Sequence, residues 1–250
     1  MISLAGRRIL VTGASRGIGR ATALMAARAG ADVGVLYHAR RSDGEQVSRA
    51  VRAMGRRSYL GGGDLADAER VSQVMSEVKA AFGGLDGVVI NHGIWPPAAT
   101  PLASMAPERW RQTMRANLDS VFLVTRAALG LITGPGRVVM VSSTAGQRGE
   151  AFHADYAATK GAMISLVKSL AIECAPDITV NAVAPGWVDT EMSATAFAGE
   201  GRAAIAEAIP LRRIATADDV AGPVIFLLSD LARHITGEIL NINGGSVLPG

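Results

Sequence analysis

Residues 9–19 read Ile-Leu-Val-Thr-Gly-Ala-Ser-Arg-Gly-Ile-Gly, and this stretch decides the fold. The apolar run Ile-Leu-Val predicts a buried strand, and the residues from Gly17 onward predict a helix. Between them lies a turn in which Gly13, Gly17 and Gly19 leave out side chains where the backbone bends tightly. With Ser15, Arg16 and Ile18 between the glycines, such a turn presents backbone N–H groups to one point. The helix start adds roughly half a positive charge there, which suits a pyrophosphate. The glycines sit in the first strand–turn–helix of the chain, the context a dinucleotide turn requires.

The same alternation runs outward from this turn. Strands are predicted over residues 8–11, 32–36, 58–60, 87–90, 137–141, 178–183 and 238–242. Helices are predicted over 17–29, 44–54, 66–82, 107–131, 154–175 and 217–228. Continuous apolar runs fit strands covered on both faces. Together they predict an α/β fold: a doubly wound, seven-stranded parallel sheet, Rossmann-like, with helices on both faces. Right-handed crossovers put every strand's C-terminal end on one edge, where ligands bind. No repeat or long linker divides residues 1–250, so a single dinucleotide-binding domain is expected. Residues 190–209, with Gly199 and Gly201 as hinges, break the alternation and predict a substrate lid over the binding edge.

At 49% hydrophobic and 19% charged residues, the chain is not intrinsically disordered. Its single cysteine, Cys174, excludes an intrachain disulfide, reads as core filler and fits a reducing cytoplasm. The net charge is +3, but the arginine pairs 7/8, 40/41, 56/57 and 212/213 are scattered. A nucleic-acid surface needs clustered positive charge, so none is expected. The start lacks the shape of a signal peptide. No apolar run approaches the roughly 18 residues that span a bilayer, so no membrane partner is expected. The four histidines are dispersed, and no metal site is expected.

Tyr156-Ala-Ala-Thr-Lys160 places two side chains at i and i+4, on one face of a helix. A free phenol, with a pKa near 10, exchanges protons poorly at neutral pH. A neighbouring ammonium favours phenolate, and a shift of about three units is worth roughly 4 kcal/mol. Tyr156 is therefore expected to titrate low enough to act as general acid or base. Ser143 stands at the end of a strand, thirteen residues earlier, and Ser142 is its competitor. Asn117 lies in the earlier helix.

The Gly13-x-x-x-Gly17-x-Gly19 spacing and this Asn–Ser–Tyr–Lys set resemble the short-chain dehydrogenase/reductase family over nearly the whole chain. The pattern is most similar to 3-oxoacyl-carrier-protein reductases and their relatives. The resemblance assigns Ser143 to the substrate oxygen and Tyr156 to proton transfer. Lys160 would tune Tyr156 and hold the nicotinamide ribose, and Asn117 would anchor a proton-relaying water. It also places Asp64 and Leu65 at the adenine, Asn91 and Gly93 at the ribose, and Pro185, Gly186, Val188 and Thr190 at the carboxamide and phosphates. His92 departs from the family's NNAG motif. It is expected near the cofactor ribose, tolerated there rather than acting as a base.

An NAD site carries a carboxylate at the end of the second strand. That position is Tyr37, followed by His38, Ala39, Arg40 and Arg41. With Arg16 in the turn, guanidinium favours a 2′-phosphate, so NADP(H) is expected over NAD(H). Trp95, His153, Trp187, Met192 and Phe197 are the expected substrate walls. A ketone or 3-oxoacyl reductase is the leading reading. An NAD-dependent dehydrogenase of a sugar, steroid or other secondary alcohol is the alternative, and a catalytically silent dinucleotide sensor is the remote one. The two basic positions where carrier-protein reductases tend to dock are absent: residues 133–136 read as a neutral turn, and residues 175–177 are Ala-Pro-Asp. The resemblance further implies a homotetramer or homodimer.

Overall fold

The computed structural model describes residues 2–248. Seven parallel strands form one sheet: β1 (Arg8–Val11), β2 (Asp32–Tyr37), β3 (Ser58–Gly62), β4 (Leu85–Ile90), β5 (Ile132–Val141), β6 (Ile178–Pro185) and β7 (Ile239–Ile242). Their order is β3-β2-β1-β4-β5-β6-β7. The chain winds outward from β1 to β3, then returns to the other side of β1 and winds outward again. The crevice above β1 and β4 is the topological switch point of such a sheet, where doubly wound folds bind ligands.

Nine α-helices accompany the strands among the described residues: α1 (Gly17–Arg28), α2 (Arg41–Ala53), α3 (Ala68–Phe82), α4 (Pro107–Met114), α5 (Ser120–Leu129), α6 (Thr144–Arg148), α7 (Ala154–Glu173), α8 (Gly201–Ala208) and α9 (Ala217–Leu228). Two apolar layers flank the sheet. One gathers α1 and α9 over Val11, Val35, Val89 and Val183. The other gathers α3, α5 and α7 under Leu10, Val88, Val138 and Ala182. Alternate residues of each buried strand thus serve opposite layers, which is why the strands read as unbroken apolar runs. Buried Ala23, Ala26 and Ala27 let α1 lie close against α9.

Several boundaries differ from the sequence expectation for local reasons. The expected helix over 107–131 is interrupted by a π turn, Arg115–Asp119, that carries Asn117. One i→i+5 turn leaves the apolar periodicity almost unchanged, so the sequence does not reveal it. Residues 133–136 are not a turn before β5. They belong to β5 and make an excursion: Leu85 pairs with Ile132, but Gly87 pairs with Arg137. Helix α6 was not expected. It is short, and Ser143 caps it by accepting from the Ala145 N–H at 3.1 Å. In α3 the cap is Asp67, so the helix starts at Ala68 rather than Ala66. Residues 190–209 hold a 3-10 turn, Glu191–Ser193, followed by turns and α8. Cys174 is half-buried at the end of α7.

One buried ion pair fixes the start of α7. Asp155 is fully buried and accepts from Arg109 Nε at 3.0 Å and from the Thr113 hydroxyl at 2.9 Å. Arg109 also donates to the Ala98 carbonyl and to Thr100 Oγ1, both at 2.5 Å. A single guanidinium therefore ties α4, α7 and the segment after β4 together, one residue before Tyr156. Removing one partner of such a pair strands the other charge. Asp155→Ala should cost about 2–4 kcal/mol in denaturant unfolding, below a fully buried pair because Arg109 keeps some water.

Candidate active site

A cavity of about 550 Å³ opens at the C-terminal ends of β1, β4, β5 and β6. Its floor is the β1–α1 turn. Gly13 and Gly17 adopt positive φ of 62° and 53°, where a side chain would be strained. Ser15, Arg16, Gly17 and Ile18 line the cavity. The first turn of α1 has no side-chain cap, so its leading N–H groups are left for an acceptor in the cavity. This is an observation the pyrophosphate of a nicotinamide dinucleotide fits. Gly19, expected to contact the cofactor, is not among the residues that line the cavity, and its missing side chain matters for packing. A Cβ there would press on the Gly13 carbonyl and come within 2.5 Å of Asn91 Nδ2. It is a packing glycine that lets α1 approach the end of β4.

The end of β4 is stitched to that turn. Asn91 Nδ2 donates to the carbonyls of Thr12 (3.1 Å) and Gly13 (3.3 Å). The Asn91 N–H donates to Thr12 Oγ1 at 2.9 Å. His92 lines the cavity but is not idle. Its Nδ1 lies 2.7 Å from Thr12 Oγ1 and its Nε2 lies 2.9 Å from Ser120 Oγ. Ser120 in turn donates to the Ala116 carbonyl inside the π turn at 2.8 Å. A neutral imidazole donates once and accepts once, so His92 bridges β1 and the π turn. Burial, helped by the positive charge of Lys160, pushes this imidazole down to about 3 against a weaker pull from Asp64. The departure from the family's motif was the signal for this bridge, and reading it as mere tolerance missed it.

Ser143, Tyr156 and Lys160 line one wall of the cavity. Ser142 also borders the cavity, but its buried hydroxyl donates to the Lys160 carbonyl at 2.8 Å. Lys160 Nζ donates to the Val141 carbonyl at 2.8 Å and lies 5.8 Å from the centre of the Tyr156 ring. Asn117 does not reach the cavity surface. Its amide is fully buried and spent on Ile94, accepting from that N–H at 2.7 Å and donating to that carbonyl at 2.8 Å. Gly93 lies between the two groups: a Cβ there would sit 3.0 Å from Asn117 Oδ1 and 3.9 Å from Lys160 Nζ.

The surroundings of the phenol do not favour its ionisation. Burial pushes Tyr156 up to about 12; the Ser143 hydroxyl works against the rise and Glu150 adds to it. Burial also brings Lys160 down to about 8. Lys160 is not among the groups that shift the phenol: its ammonium donates to the Val141 carbonyl and lies 5.8 Å from the ring centre.

At the other end, Tyr37, His38, Arg40, Asp64 and Leu65 line the cavity. Asp64 meets Arg115 at 2.6 Å and accepts from the Ala66 N–H at 2.9 Å. Pro185, Gly186, Val188 and Thr190 form the side reached from β6. Trp95 and Trp187 stand over the cavity edge to face, 6.1 Å apart, and Met192 joins them. His153 is not a wall residue: it lies buried behind Trp95, stacked on it at 4.7 Å. Phe197 likewise backs Trp187, at 5.8 Å.

A family profile described as Enoyl-(Acyl carrier protein) reductase matches residues 13–246. The chain is 39% identical over 239 residues to the 3-oxoacyl-[acyl-carrier-protein] reductase FabG of Staphylococcus aureus, covering 94% of this chain and 96% of that one. The chain belongs to the short-chain dehydrogenase/reductase family. Among solved members of that family, a short-chain dehydrogenase from Burkholderia cenocepacia in complex with NADP superposes with a TM-score of 0.91 at 36% identity. The match covers 97% of this chain and 98% of that one. A short-chain dehydrogenase/reductase (glucose/ribitol dehydrogenase) from Brucella melitensis superposes equally well, at 0.91 and 31% identity, covering 99% of both chains. As a member of this family, the protein is an NAD(P)-dependent oxidoreductase. No helix among the described residues is long and apolar enough to cross a membrane.

The buried His92 bridge gives stability a pH signature. Its folded value lies below the ordinary 6.5, so the unfolded chain takes up a proton first as pH falls. Stability is full above about 6.5 and declines toward about 3. His92→Asn should flatten the slope of unfolding free energy across that window, measured by urea titrations at stepped pH.

Proposed function

We propose that this family member is an NADP(H)-dependent reductase of ketones, acting on 3-oxoacyl or related carbonyl groups. The observation that carries the reading is one continuous cavity. Arg16 and Arg40 stand at its adenosine end, with no carboxylate at the end of β2, and Ser143, Tyr156 and Lys160 stand at its other end. The uncapped start of α1 would hold the pyrophosphate. Arg16 and Arg40 would hold the 2′-phosphate by charge-assisted pairs. Asp64 and Leu65 would flank the adenine. Asn91, Gly93 and Lys160 would border the nicotinamide ribose, and Pro185, Gly186, Val188 and Thr190 the carboxamide side. When bound, the reduced nicotinamide supplies a hydride to the carbonyl carbon.

The protein's own residues handle the oxygen. The Ser143 hydroxyl donates to the carbonyl oxygen and orients it. Tyr156 donates the proton that turns the developing alkoxide into an alcohol. A phenol pushed up to about 12 carries its proton at neutral pH, and the burial that raises it also makes it a weaker acid, so giving up that proton depends on the neighbouring ammonium. Lys160, near 8, is charged at neutral pH and steadies the phenolate that remains. Asn117 acts through position, holding Ile94 so that Gly93 leaves room beside Lys160.

The relatives named FabG support a 3-oxoacyl substrate, and the Burkholderia structure supports NADP. The Trp95–Trp187 wall favours a second reading, oxidation or reduction of a compact free alcohol or ketone, because aromatic faces grip small apolar bodies. Exposed Trp110, Phe122 and Ile172 on α4, α5 and α7 are apolar surface that a homodimer or homotetramer would cover.

Tyr156→Phe should lower kcat for ketone reduction by about 10²–10⁴-fold while leaving NADPH binding near wild type. An undiminished rate would exclude Tyr156 as the donor. Wild type should show a higher kcat/KM for NADPH than for NADH. Arg40→Ala should shrink that ratio by about tenfold, in keeping with the loss of one charge-assisted phosphate contact.

A further inference from the structure

The two arginines at the adenosine end are already holding an anion. Glu191 Oε2 lies 2.5 Å from Arg16 Nη1 and 2.7 Å from Arg40 Nη2. Its other oxygen, Oε1, accepts from Arg40 Nη1 at 3.2 Å. Asp43 also faces Arg40, at 3.6 Å, but it sits on α2 beside that arginine. Glu191 comes from a different part of the chain. It opens the 3-10 turn that begins segment 190–209, and the methyl of the preceding Thr190 lies where a Cβ on Gly17 would touch it, at 3.3 Å. One carboxylate thus joins the glycine turn, the start of α2 and the first residues of the segment after β6. All three side chains are about half exposed, so the cluster is open to a competing anion from the cavity.

From this geometry we propose that Glu191 is a built-in stand-in for the cofactor 2′-phosphate, competing for Arg16 and Arg40 and latching segment 190–209 until a 2′-phosphorylated ligand displaces it. This rests on the NADP(H) reading above. A phosphate offers more charge and more acceptor oxygens than a carboxylate and wins two guanidinium forks from it. A ligand without the 2′-phosphate has nothing to exchange for Glu191, so it leaves the latch shut. Glu191 then contributes to discrimination in an unexpected direction. It taxes the phosphorylated cofactor in affinity, and it makes release of the segment conditional on that phosphate.

The test uses two nucleotide probes without the nicotinamide, 2′,5′-ADP and 5′-AMP, titrated calorimetrically into wild type and Glu191→Gln. Removing a latch that is closed most of the time should tighten 2′,5′-ADP about three- to tenfold and leave 5′-AMP within about twofold. In wild type, hydrogen exchange across residues 190–200 should rise with 2′,5′-ADP and not with 5′-AMP. In Glu191→Gln it should be high without either probe. Unchanged or weakened 2′,5′-ADP binding in the variant, or exchange indifferent to the 2′-phosphate in wild type, would overturn the latch. If wild type binds 2′,5′-ADP no better than 5′-AMP, the NADP(H) reading fails instead.

Discussion

The arrangement of the site depends on how closely the first turn approaches the end of β4. Gly13 and Gly19 leave no side chain between α1 and the Asn91 amide, and that amide spends both its protons on the carbonyls of Thr12 and Gly13. The order of the strands requires this meeting, because β1 and β4 are neighbours at the point where the winding reverses. With the turn pinned there, the helix start, the end of β4 and the tips of β5 and β6 all face one cavity.

The catalytic wall is held by a chain of buried polar contacts that extends this pin. Thr12 reaches His92, His92 reaches Ser120, and Ser120 reaches into the π turn. Asn117 in that turn holds Ile94, while Ser142 donates to the Lys160 carbonyl and the Lys160 ammonium donates to the Val141 carbonyl, joining the end of β5 to α7. Buried polar groups of this kind cost a great deal when unpaired and little when satisfied, so the chain specifies one geometry. It also explains why desolvation governs the titration of Tyr156 and Lys160: the same packing that aims them surrounds them with protein.

The sheet, its order of strands and helices, and the residues gathered at the cavity were legible in the sequence because each leaves a local trace. Apolar runs mark buried strands, glycine spacing marks the turn, and the i, i+4 relation of Tyr156 and Lys160 marks a shared face. What was not legible depends on three-dimensional partners. The π turn preserves the apolar pattern of an ordinary helix. The excursion within β5 arises from pairing with β4, which no single strand encodes. His153 was placed on the wall by its distance from Tyr156, yet Trp95 lies over it. The spacing of Tyr156 and Lys160 gives proximity to a charge and says nothing of the desolvation that pushes the phenol up.

The aromatic wall carries an optical consequence. The chain has three tryptophans, and two of them, Trp95 and Trp187, border the cavity. Indole emission overlaps the absorption of a reduced nicotinamide, so these two side chains stand within energy-transfer range of such a ligand. Occupancy of the cleft by a reduced nicotinamide would therefore be read by quenching of native indole emission, with no added dye, while Trp110 on α4 is not among the lining residues.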